Sequence, residues 1–195
     1  VEVVGLLTTV DGSCGRVGAH CVPLTWIEEQ ARAVGLPLIS VPLPRPCPND
    51  TYRTQVGAAL QRDREVTHVV FGDLFLEDIR AWREQWLAGL GLSPLFPLWG
   101  METRALASSM MHAGVRARIV CVDPKRLDEA LVGREWDEEL LRALPPEIDP
   151  CGERGEFHTF VYAGPFFPKP LPVERLSTPA TAVVSMSPIS SRSET

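Results

Sequence analysis

Two acids and two glycines stand together in CGERGEFHTFVYAGP, residues 151–165. Gly152 and Gly155 permit backbone geometry closed to other residues, so the loop can expose amides and hold Glu153 and Glu156 close to a ligand. In the alternating segment that follows, Phe157, Thr159 and Val161 share one face, while Glu156, His158 and Phe160 share the other. Glu156 and His158 can thus reach one site. The plainer reading is a glycine turn with exposed acids.

Two further groups could do chemistry. Asp73 follows an apolar run and Gly72, a position from which a carboxylate holds a cation, orients a polar substrate or merely caps the next helix. Glu77, Arg80 and Glu84 line up on that helix. Arginine there offers a rigid fork of donors to an anion, or pairs with its neighbours on a solvated face. Cys14, His20, Cys21, Cys151 and His158 lack the paired spacing of a zinc site, so we expect free cysteines, loop histidines and no bound metal.

The elements that must position these groups alternate. VEVVGLLTTV reads as a buried strand, and a glycine-rich loop follows it. PLTWIEEQARAVG reads as a helix with Pro23 in its first turn and Gly35 as its cap. LPLISV is a short strand, PLPRPCPND an extended proline-rich loop, and Asn49 or Asp50 caps a helix running to about Arg64. THVVFGD has the apolar run of a strand buried on both faces. In the next helix Phe75, Ile79, Trp82, Trp86 and Leu90 form one stripe. LSPLFPLWG is a turn-rich crossing, METRALASSMMHAG a helix and VRARIVCVD a strand, and a helix near Glu135–Leu144 leads into the acidic loop. Strand–helix alternation predicts an α/β fold with an open sheet and helical crossovers. In such sheets ligands bind beyond the carboxyl ends of the strands, where Thr8, Thr9, Gly72, Asp73 and the Glu153–Glu156 loop all fall.

Composition narrows the function. The chain has 195 residues, 45% hydrophobic and 23% charged, with a net charge of −6 and dispersed arginines. That balance argues against nucleic acid as a partner, and no apolar run is long enough for a membrane helix. Five cysteines without a CxxC pair suit a reduced, cytoplasmic protein. The chain opens within a strand, so we expect a preceding segment, and residues 169–195 read as a Ser/Thr/Pro-rich disordered tail.

In order, GLLTT, GRVGAH, FGDLFLEDIRAWRE, LFPLWG, VGREWD and CGERGEFHTFVYAGPFF resemble the landmarks of the diphthine–ammonia ligase family, over residues 1 to about 168. The resemblance implies a Rossmann-like, mainly parallel sheet with helices on both faces in an ATP-binding domain of the adenine nucleotide alpha-hydrolase class, spanning residues 1–96. A smaller α+β acceptor domain spans 97–168. It also implies amidation: a carboxylate on a small molecule or protein is activated by ATP, with Mg2+, and attacked by ammonia. Leu7, Thr8, Thr9, His20 and Gly72 would then lie near the nucleotide. Asp73, Arg80, Glu153 and Glu156 would carry the reaction, and Gly155, His158 and Thr159 would hold the acceptor. A homo-oligomer is compatible with this reading.

The sequence departs from the family at three points. Its phosphate-binding signature, Ser-Gly-Gly-Lys-Asp-Ser, does not occur in these residues, Arg154 stands where glycine or another small residue is common, and His158 stands where many members have an acid. Two rivals therefore stand beside the ligase: a binding module without nucleotide chemistry, and a metal-dependent hydrolase using Asp73, Glu153, Glu156 and His158.

Overall fold

The computed structural model describes residues 1–17, 22–63 and 65–172. Residues 173–195 of the expected tail, and His20, lie outside that set. Eleven elements position the loops: β1 (Leu6–Asp11), α1 (Leu24–Val34), β2 (Leu38–Leu43), α2 (Asn49–Leu60), β3 (His68–Val70), α3 (Glu77–Ala88), β4 (Ser93–Leu95), α4 (Thr103–His112), β5 (Arg116–Val122), α5 (Glu138–Ala143) and β6 (Phe157–Ala163).

Local chemistry sets the helix ends. Pro23 precedes α1 with φ −58°, and Gly35 closes it in the left-handed region at φ 74°, its N–H returning to the last turn. Glu102 caps α4 by accepting from the Arg104 and Ala105 N–H groups at 3.0 and 2.6 Å. Asp137 does the same for α5 through Leu140 N–H at 2.8 Å. At α2 the cap is Pro48, so Asn49 and Asp50 lie inside the first turn and do not cap it.

The described strands make three two-stranded ribbons. β1 pairs parallel with β2 from Leu6↔Leu38 to Asp11↔Leu43, and β3 pairs parallel with β4 from His68↔Ser93 to Val70↔Leu95. β5 pairs antiparallel with β6, with an irregularity between Ile119 and Cys121. The α/β character is as expected, but no ladder joins β1 to β3, so the described strands do not form one open Rossmann-like sheet. β3 is also less enclosed than its apolar run suggests: His68 and Val70 are exposed, and its three residues pair along one edge only. The turn-rich crossing contains β4, which its two prolines disguise.

A shared core binds the two parallel ribbons. Val41 and Leu43 of β2, Val56 and Ala59 of α2 and Trp86 and Leu87 of α3 are buried together, and Leu7, Val69 and Phe71 pack against them. Of the expected stripe, Trp82 and Trp86 of α3 and Leu90 just past its end join this core, whereas Phe75 and Ile79 do not. Each fully buried side chain of this size stabilises the fold by about 1.5–3 kcal/mol. The β5–β6 ribbon is covered on both faces. Ala117, Ile119 and Phe157 face α4 and α5, whereas Phe160 and Tyr162 face Trp26 and Ile27 of α1. Gln30 of α1 also donates to the Val161 carbonyl at 2.6 Å.

Candidate functional site

The 149–156 loop is built from its acids inward. Asp149 is buried, and its Oδ1 accepts from Cys151 N–H at 2.8 Å and Glu153 N–H at 3.4 Å. Gly152 adopts φ 68°, and a Cβ there would come 2.6 Å from the Phe157 carbonyl oxygen, so turn and close approach both require glycine. Gly155 adopts φ 78°. The Trp136 indole donates to the Pro150 carbonyl at 3.0 Å and anchors the loop to the core beneath.

Glu153 and Glu156 then point different ways. Glu156 is fully buried. Its Oε1 accepts from Asp149 N–H at 3.1 Å and its Oε2 from Arg154 N–H at 2.9 Å, with the Arg126 guanidinium 3.4 Å away. The expectation of two exposed loop acids is therefore corrected for Glu156, whose oxygens are occupied in closing the turn. Glu153 reaches across the molecule: its Oε1 accepts from Leu74 N–H at 2.7 Å. Half-burial, with Asp73 and Asp149 nearby, raises its pKa against the Leu74 and Phe75 amides. Arg154 follows it, its guanidinium 4.8 Å from the Phe75 ring centre.

On the facing segment, Asp73 does not cap α3, whose N-cap is Leu76 without a side-chain bond. It forms an ion pair with Arg83, Nε to Oδ2 at 2.8 Å and Nη2 to Oδ1 at 3.2 Å. Arg83 lies 4.1 Å from the centre of the Phe71 ring. Burial raises the Tyr52 pKa, and Arg83 only partly opposes that rise. Arg83 is the functional candidate that sequence reasoning missed, although FGDLFLEDIRAWRE contains it. Arg80 instead pairs with Glu84 at 2.8 Å and lies over the rings of Phe96 and Trp99 at 5.0 and 4.6 Å. Gly72 is exposed, with nothing within 4 Å of an added Cβ.

The structure thus brings the 72–76 and 149–156 segments together. Leu7, Thr8 and Thr9 lie elsewhere, half-buried on β1 opposite Ile39, Ser40 and Val41. Among the described residues no hydrogen bond or ion pair links their side chains to either loop. His158 and Thr159 are half-buried on β6, opposite Cys121 and Ile119. Cys151 donates to the Thr103 carbonyl at 3.4 Å, and burial, with the charges of Asp149, Glu153 and Glu102, pushes its thiol up to about 12, which keeps it protonated. Among the described residues no three His, Cys, Asp or Glu side chains gather as the ligands of a cation would.

A nucleotide's phosphates need free amides or a lysine. The glycine-rich turn after β1 does not offer them: Ser13 N–H goes to Asp11 Oδ1 at 2.8 Å, and Cys14 and Gly15 N–H go to the Asp11 carbonyl at 3.3 and 2.9 Å. The described part of that turn does not fit a triphosphate. No helix among the described residues is long and apolar enough to cross a membrane.

Residues 102–189 match the family model of the diphthamide synthase C-terminal domain. A relative from Danio rerio named diphthine–ammonia ligase is 29% identical over 126 residues, 61% of this chain and 49% of the relative. The chain spans about half the length of the curated relative it matches. Together the family model and the relative bear out the resemblance read from the sequence, which is to the diphthine–ammonia ligase family.

Proposed function

We propose that the chain serves an amide-forming ligase of the diphthine–ammonia ligase type, and that the facing 72–76 and 149–156 segments form its acceptor side. The bond from Leu74 N–H to Glu153 carries this reading, because it joins the two most distinctive motifs across 79 positions of sequence. In this reading residues 97–168, joined by the 72–76 segment, serve the acceptor, and the rest of 1–96 serves the nucleotide. ATP would supply the activation of the acceptor carboxylate, and the Ser13, Cys14 and Gly15 amides of the turn after β1 are not free to hold it.

What this chain's residues do is clearer on the amine side. Ammonia adds its nitrogen lone pair to the activated carbonyl carbon, the leaving group departs with the electrons of its C–O bond, and a proton must leave nitrogen. Glu153 suits that proton: half-burial and two neighbouring acids make it a stronger base than an exposed carboxylate. Arg83 holds Asp73 in place beside it. Glu156, enclosed by its own loop, positions Glu153 and does not touch substrate.

One observation favours a second reading, a binding module without nucleotide chemistry: the Ser13, Cys14 and Gly15 amides of the turn after β1 are taken by Asp11, and the Gly12 amide by the Leu43 carbonyl. The two are separated by supplying the chain with ATP and 15N-labelled ammonium in a lysate, then searching by mass spectrometry for new amides. Label incorporation that requires both ATP and the chain supports the ligase. Its absence leaves the binding module.

A further inference from the structure

Two backbone amides at the junction are fixed from behind. The Gly100 N–H donates to the Leu74 carbonyl at 2.8 Å, which holds the peptide plane carrying the Phe75 N–H and turns that N–H the opposite way. The Leu74 side chain is buried, and Asp73, whose carbonyl shares a plane with the Leu74 N–H, is clamped by Arg83. Both amides lie ahead of Leu76, the cap of α3, and beyond the carboxyl end of β3. They meet at one carboxylate: Glu153 Oε1 accepts from Leu74 N–H at 2.7 Å, and the Phe75 N–H also bonds to that group.

Two preorganised backbone donors converging on a negative oxygen are what acyl transfer needs where charge develops. Glu153 has no ion-pair partner among the described residues, whereas Asp73 has Arg83, Glu84 has Arg80 and Glu156 has Arg126 and Arg154. Its charge rests on these amides. Moving that charge to another oxygen in the same place breaks no ion pair.

We propose that the Leu74 and Phe75 N–H groups form the oxyanion hole of the amidation, and that Glu153 fills it in the resting chain. The inference rests on the ligase reading, whose reactants are ammonia and a carboxyl group activated as a mixed anhydride with phosphate. The nitrogen lone pair forms the C–N bond, the π electrons of the carbonyl move to its oxygen, and a proton passes from nitrogen to Glu153. Glu153 becomes neutral as the carbonyl oxygen becomes negative, so the amides exchange one oxyanion for another and the charge of the site stays constant. The carbonyl then re-forms, and the phosphate leaving group departs with the electrons of its C–O bond.

Two arms test this in the full chain. Glu153→Ala vacates the hole, so the Leu74 and Phe75 amide proton resonances should move upfield and return saturably as formate is added. Glu153→Gln keeps an oxygen in place and should not respond to formate. In the second arm an ester oxygen replaces the Leu74 N–H, through incorporation of the 2-hydroxy acid analogue of leucine. The maximal rate of 15N-ammonium incorporation should fall by about a hundredfold with KM for ammonium unchanged, as for loss of one oxyanion-hole donor. Movement with formate that is no more saturable in Glu153→Ala than that of amides elsewhere overturns the proposal, as does a native rate in the folded ester. Formate capture by both amides without incorporation by the native chain would sink the ligase reading alone. Incorporation by the native chain without formate capture would sink this inference alone.

Discussion

Two turns in this molecule begin alike and end differently. In the 11–15 turn Asp11 accepts from the N–H two residues on, and in the 149–156 loop Asp149 does the same. Each is the local carboxylate-to-amide bond that Asp favours. The first turn stops there, its Ser13, Cys14 and Gly15 amides spent on Asp11, with Arg45 3.8 Å from the Asp11 carboxylate. The second adds Glu153, which leaves the loop for Leu74, and Glu156, which is buried within it. Turn chemistry makes both loops, but a partner far away in sequence marks the one that does more than turn.

The comparison breaks most severely at Glu156. Glu156→Ala should cost roughly 3–5 kcal/mol, because it leaves the Arg126 cation and two loop amides without their acceptor. Denaturant unfolding measures this, and a loss below 1 kcal/mol would mean that water replaces the carboxylate. Gly152→Ala comes next, at about 3 kcal/mol, since left-handed backbone and a carbonyl contact penalise it together. In the other turn Gly15→Ala meets nothing within 4 Å, so only its φ of 68° counts and about 1 kcal/mol is expected. Equal losses at Gly152 and Gly15 would show that the contact with Phe157 relaxes freely.

The two turns should also titrate in opposite directions. Hydrogen bonds from the Ser13 side chain and backbone lower the Asp11 pKa from its ordinary 3.8. Its contribution is therefore complete above that value and lost as pH falls through the folded pKa. Burial raises the Glu153 pKa above 4.5, so its contribution is complete below 4.5 and lost as pH rises through the folded pKa. Asp11→Asn should weaken the acid-side loss of stability. Glu153→Gln, whose amide oxygen still accepts from Leu74, should raise stability at pH 7, with the gain shrinking toward pH 4.5. Melting curves across that range check both, and a Glu153→Gln gain that grows on acidification would reverse the assignment.

Much of this scaffold was legible because its signals are local. Pro23 and Gly35 bracket α1, the Trp82–Trp86–Leu90 spacing defines the buried side of α3, and Gly152 and Gly155 both take positive φ. What sequence hid is set by distance along the chain. β4 is three residues inside a proline-rich crossing and becomes a strand only through β3. Arg83 lies ten residues from Asp73, a spacing with no helical or strand period. The burial of Glu156 depends on Arg126 and Asp149, which no motif ties to it. The open sheet expected from alternation is not confirmed, since among the described residues β1 pairs in a ladder with β2 and β3 with β4. Alternation predicts neighbours but does not pair edges.

The central claim is that Glu153 works on chemistry while Glu156 holds the loop. It is tested most directly by comparing 15N-ammonium incorporation by the native chain and by Glu153→Gln, with a melting curve for each. The account predicts that incorporation falls to background in Glu153→Gln while its melting temperature at pH 7 stays the same or rises. Incorporation at the native rate in a folded Glu153→Gln chain would contradict it.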